Sequence, residues 1–225
     1  MNRAVDLGGL GADAVARLAD DVATAALVCF PTDTVYGIGG VATAATAAAI
    51  ARVKGRRPDK PLQLVYPTLE LLLESVPLAP AVATAVRRLL PGPFTLIVPY
   101  PDGLRSPSPS VLEPPGAAPL KTLGVRVPDW PRAARALAAL PFPLFASSAN
   151  LSGRDDPAEL ADVDPVVRAA CDLLLDAGPT SGVSSTVLDL SGLPAGRGFR
   201  VLRAGAVGAA EIASILASHE DRLRH

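Results

Sequence analysis

Only two histidines occur in the chain, His219 and His225, both in a charged C-terminal stretch. That scarcity argues against a Ser-His or Cys-His nucleophile, which needs an imidazole beside the attacking group. Cysteine is equally rare: Cys29 sits in an apolar run and Cys171 in a helix-like segment, with no second Cys or His at metal-ligand spacing. Both read as buried small hydrophobes. Aromatic residues make up 4% of the chain and the formal net charge is -1, so neither stacking platforms nor a global positive field favours a nucleic-acid binder. No Gly-Lys-Ser/Thr triplet occurs, which removes a Walker A loop. The uncharged stretch from Thr34 to Ala51 is built from Gly, Ala and Thr rather than Leu, Ile and Phe, too weakly apolar for a membrane span. The N-terminus carries acids and no uninterrupted apolar region, so neither a signal nor a transit peptide is indicated and a cytoplasmic protein is the expectation.

What is present is a chain of 225 residues with 49% hydrophobic content, enough to bury a substantial core. We expect a single domain over residues 1–225. Apolar runs such as "AALVCF", "LQLVY", "FTLIVPY", "LGVRV", "PLFASS", "DLLLD", "STVLDL" and "FRVLRA" read as strands. Between them the periodicity predicts helices over 11–25, 43–54, 68–75, 79–90, 131–140, 158–171 and 208–223, several introduced by Pro or Asp. The alternation implies an α/β fold around a twisted mixed β-sheet with flanking helices. The segment 99–121 is proline-rich and too long for an ordinary connection, as lids, binding loops and disordered segments are.

Cations cluster between Arg52 and Lys60: Arg52, Lys54, Arg56, Arg57 and Lys60 are offset only by Asp59. A helix ending near Lys54 and capped by Gly55 would place Arg52 and Lys54 at the negative end of its dipole, and a solvated run would account for the others. A strand follows directly and would hold Lys54 and Arg56 at a sheet edge, which favours a phosphate site. "FPTDTVYGIGGVA" delivers Thr32, Asp33, Thr34 and Tyr36 from a strand end before a glycine turn; ordinary turn capping is the alternative for the two threonines. "PLFASSANLSG" presents Ser147, Ser148 and Asn150, and "GPTSGVSSTVLDL" presents Ser184, Ser185 and Thr186. Several strand ends bearing hydroxyls and amides, plus one bearing cations, describe a pocket for a polar phosphorylated ligand. Arg126, in mid-strand, needs a partner: a ligand carboxylate or an internal salt bridge.

These stretches, together with "KGRRPDKPL", "PGPFTLIV", "GVRVPDWP" and "VLRAGAV" in this order, resemble the YrdC/Sua5 group of L-threonylcarbamoyladenylate synthases over nearly the whole chain. The resemblance implies a sheet with a deep central cleft and a reaction of L-threonine, bicarbonate and ATP to threonylcarbamoyl-AMP and pyrophosphate. The product would pass to a tRNA-modifying threonylcarbamoyl transferase complex. On the ATP side the resemblance places Lys54, Arg56, Lys60, Thr122, Ser148, Asn150, Asp156 and Arg203, with Lys54 and Arg56 as the catalytic pair on the phosphates. On the threonine side it places Thr32, Thr34, Tyr36, Arg126, Ala146 and Ser185. Three positions depart from the family pattern: Asp156 stands where a serine is usual, Val65 where some members carry histidine, and Ala204 where proline follows the arginine. The C-terminal domain of the longer Sua5 form is not expected. Magnesium is implied with ATP, because a triphosphate losing pyrophosphate normally needs a divalent cation, and Asp33 is a carboxylate that could reach it through water; no protein metal site is expected. A double-stranded RNA-binding module, with weak RNA affinity on a concave basic surface, and a paralogous carbamoyl-adenylate enzyme with another acceptor are the competing classes.

Overall fold

The computed structural model describes residues 2–55, 62–99 and 122–217. Among the described residues ten strands form one mixed sheet: β1 Arg3–Asp6, β2 Val28–Phe30, β3 Gly37–Val41, β4 Gln63–Val65, β5 Phe94–Pro99, β6 Thr122–Arg126, β7 Leu144–Ser148, β8 Leu173–Asp176, β9 Thr186–Asp189 and β10 Arg200–Arg203. Their order is β1-β8-β2-β3-β7-β4-β6-β5-β9-β10. Helices α1 Ala12–Thr24, α2 Ala44–Val53, α3 Leu69–Ser75, α4 Pro80–Leu89, α5 Pro165–Ala170 and α6 Ala209–Ala217 flank it, with 3-10 turns at Arg132–Ala139, Leu160–Asp162 and Leu193–Ala195. The starts follow local chemistry. Thr43, Thr68 and Asp164 accept hydrogen bonds from backbone N–H groups of the first turns of α2, α3 and α5, and Pro80 occupies the first turn of α4. Gly55, at φ 59°, follows the end of α2 in the left-handed conformation that glycine adopts without a Cβ clash.

Period-two alternation divides the sheet's side chains between two cores. Cys29, Ile38, Leu64, Leu96, Val125, Phe145 and Leu188 pack with Ile50 of α2, Leu72 of α3 and Val82 and Val86 of α4. Their strand neighbours Val28, Phe30, Val65, Leu144, Ala146 and Leu173 turn the other way, onto Leu18 and Val22 of α1 and Ala134 and Leu137. Burial raises the Cys29 thiol pKa above its ordinary range and pushes Cys171 up to about 12, which keeps both thiols protonated and packed as hydrophobes.

Three expectations need correction. The glycines of "GIGGV" form strand β3 rather than a turn, paired with β2 on one side and β7 on the other. The reason is space: a Cβ on Gly39 would lie 2.1 Å from the Phe145 carbonyl oxygen and 3.0 Å from the Phe30 ring. The helix expected over 158–171 survives only as α5, because Pro165 holds Asp164 extended at ψ 132°. Finally, 131–140 winds as 3-10 turns rather than an α-helix. β1, a strand with mostly exposed residues, gave no apolar signal; it pairs with β8 and its Arg3 makes an ion pair with Asp21.

Because β3 cannot accept a side chain at its centre, Gly39→Ala is expected to lower stability by roughly 3 kcal/mol or more. Denaturant titration checks this, as a shift of the midpoint at constant slope.

Candidate functional site

Along the face that carries Val65 and Ala146, the sheet changes from apolar to polar. Ser148 of β7, Gln63 of β4, Arg126 of β6, Thr95 of β5 and Arg203 of β10 line a cavity of about 190 Å³. Asp156, Ser184 and Ser185 close it from the connections before β9, and Val35, Ala146, Ser147 and Val187 complete the lining.

Arg126 lies at the base, 3% exposed. Its Nη2 donates to Asp33 Oδ1, to Thr34 Oγ1 at 2.6 Å and to Thr32 Oγ1 at 3.3 Å, while its buried Nε has no partner among the described residues. Burial pushes the guanidinium pKa down from its ordinary value, and the Asp33 carboxylate opposes that shift. Asp33 is doubly engaged, since its Oδ2 accepts from the Asp129 N–H at 3.2 Å. The internal ion pair exists, and every side-chain hydrogen bond of Arg126 among the described residues leaves from Nη2. The turn-capping reading of Thr32 also applies, because its hydroxyl oxygen accepts from the N–H groups of Thr34 and Val35 and donates to the Val35 carbonyl.

A second cation organises the other end. Lys54, 7% exposed at the end of α2, donates from Nζ to Ser148 O at 2.5 Å, Asn150 O at 2.7 Å and Asn150 Oδ1 at 2.9 Å. Ser148 Oγ donates to the same Asn150 Oδ1 at 2.7 Å, and Ser152 Oγ donates back to the Lys54 carbonyl at 3.1 Å. An ammonium has three hydrogens, so a phosphate reaching Lys54 has to displace one of these acceptors. Lys54 and Asn150 thus adjoin the cavity through Ser148 rather than lining it.

The remaining expected residues fall as follows. Ala146, Ser148, Asp156, Ser185 and Arg203 line the cavity together with Arg126. Arg203 Nη2 donates to the Ser185 carbonyl at 2.9 Å, and Gly205 brings the following backbone so close that a Cβ there would lie 2.4 Å from the Ser184 oxygen. Asp156 accepts a hydrogen bond from the Ser184 hydroxyl. Thr32 and Thr34 approach through Arg126. Tyr36 points elsewhere: its hydroxyl lies 2.8 Å from Asp176 Oδ1 and 2.9 Å from the Gly178 carbonyl, and burial raises the phenol pKa. Thr122 opens β6 opposite Pro99 and is not part of the lining. Arg56 and Lys60, and the loop from 100 to 121, lie outside the described residues. Gln63 and Thr95 are lining residues that the sequence reading passed over. Each is a lone polar residue inside an apolar strand, a break in alternation that flags a non-core face. No group of three or more His, Cys, Asp or Glu residues that could hold a metal ion occurs among the described residues. Nor is any described helix long and apolar enough to cross a membrane.

Lys54→Met is expected to lower stability by roughly 2 kcal/mol, since it leaves buried acceptors without their charged donor. Amide hydrogen exchange should accelerate at Asn150 to Ser152 and remain unchanged in β8.

A curated threonylcarbamoyl-AMP synthase of Bacillus subtilis is 37% identical over 165 residues, covering 72% of this chain and 46% of that protein. A putative threonylcarbamoyl-AMP synthase of Mycobacterium tuberculosis is 34% identical over 195 residues, covering 84% of this chain and 83% of its own length. The chain spans about half the length of the Bacillus subtilis and Pyrococcus abyssi relatives, 46% and 48%. Among solved structures, Pyrococcus abyssi Sua5 complexed with L-threonine superimposes with a TM-score of 0.72 at 29% identity, over 96% of this chain and 60% of that one. Escherichia coli YciO shares the fold at a TM-score of 0.73 and 22% identity, over 94% of this chain and 99% of that one. A family model described as telomere recombination, for Sua5, YciO and YrdC proteins, matches residues 22–205, which contain every described strand of the cavity wall, and the chain therefore belongs to the Sua5/YciO/YrdC family.

Proposed function

We propose that this chain joins L-threonine, bicarbonate and ATP to give threonylcarbamoyl-AMP, pyrophosphate and water. The observation that carries the reading is Arg126: a guanidinium that lines the base of a polar cavity, with its bonds to Thr32, Asp33 and Thr34 all leaving from Nη2, has donors to spare for a small carboxylate. The hydroxyls and carbonyls around it offer neutral hydrogen bonds to the rest of a polar substrate. In this reading the threonine amine adds to bicarbonate with loss of water, and the resulting carbamate oxygen attacks the α-phosphorus of ATP while pyrophosphate leaves. No histidine or protein nucleophile is needed. Holding the reactants in line is worth roughly 7 to 11 kcal/mol, and cationic donors at the phosphates add electrostatic stabilisation. Ser148, Asn150 and Arg203 face the nucleotide in this arrangement, and Lys54 orders the loop that carries the first two.

Magnesium belongs to the proposal as the counter-ion of the nucleotide, held by its phosphates and waters. Asp156 is the carboxylate on the cavity wall; both Asp33 oxygens are engaged by Arg126 and the Asp129 N–H. The product is then handed to a tRNA-modifying transferase complex. The comparisons support this reading through the printed names of relatives and through the Pyrococcus abyssi protein's complex with L-threonine.

Mass spectrometry of products formed from ATP, bicarbonate and a panel of amino acids tests it; threonylcarbamoyl-AMP is expected, and a carbamoyl adenylate of another acceptor would redirect it. Arg126→Lys keeps a charge for Asp33 but removes the planar fork. We expect it to weaken L-threonine binding at least tenfold by calorimetry with ATP binding within threefold, and equal losses would count against the assignment.

A further inference from the structure

Gln63, Thr95 and Ser185 stand side by side on the cavity wall, and the direction of each hydrogen bond between them can be counted. Thr95 Oγ1 lies 2.8 Å from Gln63 Oε1. An amide oxygen only accepts, so the single hydroxyl hydrogen of Thr95 goes to Gln63. Thr95 Oγ1 also lies 2.8 Å from Ser185 Oγ. With the Thr95 hydrogen already committed, Ser185 must be the donor of that pair. Arg203 Nη2, which can only donate, reaches the same Ser185 Oγ at 3.2 Å. The chain of bonds therefore runs one way, from Arg203 through Ser185 and Thr95 to Gln63.

Two consequences follow for a ligand in the cavity. Ser185 has no hydrogen left and offers it a lone pair. Gln63 has its oxygen turned to Thr95, and its side chain makes no further hydrogen bond among the described residues, so the two N–H groups of Nε2 are what its amide has to give. Gln63 is also well placed for the amino-acid half of the site. It pairs in register with Ala146 and is tied through Thr95 to Ser185, and Val65, two residues further along β4, pairs with Arg126.

We propose that Gln63 is a further specificity-determining residue, whose amide N–H groups recognise an anionic oxygen of carboxylate or carbamate type on the amino-acid substrate. This rests on the function proposed above. Thr95 is its positioning residue: without the Thr95 hydroxyl the two ends of the amide can exchange places. Donors at Arg126 and Gln63 and an acceptor at Ser185 together match the opposite polarities of a carboxylate and an amine on one small molecule.

The test titrates L-threonine and ATP separately into the full chain by calorimetry. Gln63→Glu keeps the acceptor for Thr95 and replaces the donors with a negative charge; Gln63→Met removes the amide altogether and serves if the glutamate variant does not fold. Both are expected to weaken L-threonine binding about tenfold or more and leave ATP binding within twofold. Thr95→Val should weaken L-threonine in the same direction, and Thr95→Ser should restore it. A loss seen without bicarbonate assigns the recognised oxygen to the carboxylate; a loss seen only with bicarbonate and ATP present assigns it to the carbamate. Unchanged L-threonine affinity in the Gln63 variants under both conditions, or equal losses for L-threonine and ATP, overturns the inference alone. A wild-type chain that binds neither ligand overturns the function and this inference together.

Discussion

The ion pair between Arg126 and Asp33 is the constraint on which the rest of the site depends. A guanidinium taken out of water requires charge-assisted bonds, and here they come from the turn that joins β2 to β3. That turn cannot relax independently, because Asp33 also holds the Asp129 N–H beyond β6. In a flat sheet β2 and β6, four places apart in the strand order, would be separated by about 19 Å. The bond from Arg126 to Thr34 therefore requires the connection to arch over the sheet face or the sheet to coil beneath it. Either way the face becomes a cleft, and its base is a cation.

Lys54 applies the same principle to the far wall. Its ammonium gathers two carbonyls and one side-chain amide of the Ser148–Asn150 loop around a single point. Two buried cations, each serving loops that the strands leave without regular partners, thus shape a site whose polar lining is mainly uncharged. Such surroundings suit a chemistry in which substrates react with one another and the protein supplies orientation.

Much of the architecture was legible because apolar alternation and capping chemistry are local signals. Thr43, Thr68 and Pro80 announce their helices, and "LQLVY" and "PLFASS" announce their strands. β3 was not legible, since glycine weakens strand propensity and the reason for it, the Phe145 carbonyl, lies more than a hundred residues away in sequence. The site divides the same way. Hydroxyls at strand ends stood out, as did an arginine inside a strand. Gln63 and Thr95 did not, because a single polar residue in an apolar run acquires meaning only once register places it beside Ser185. Nor could sequence direct the Lys54 ammonium toward backbone carbonyls or the Tyr36 hydroxyl toward Asp176.

The bonds that hold the cleft join residues far apart along the chain: 92 positions for Arg126 with Thr34, 90 for Thr95 with Ser185 and 96 for Lys54 with Asn150. Contacts of such separation repay their loop-closure entropy only after the intervening strands have paired. The cleft is accordingly a late product of folding, assembled when the sheet is nearly complete. A nascent or truncated chain carries all the chemistry-bearing residues of its length yet presents no pocket, so a ligand that fits the cleft selects, among all the states of the polypeptide, the finished one.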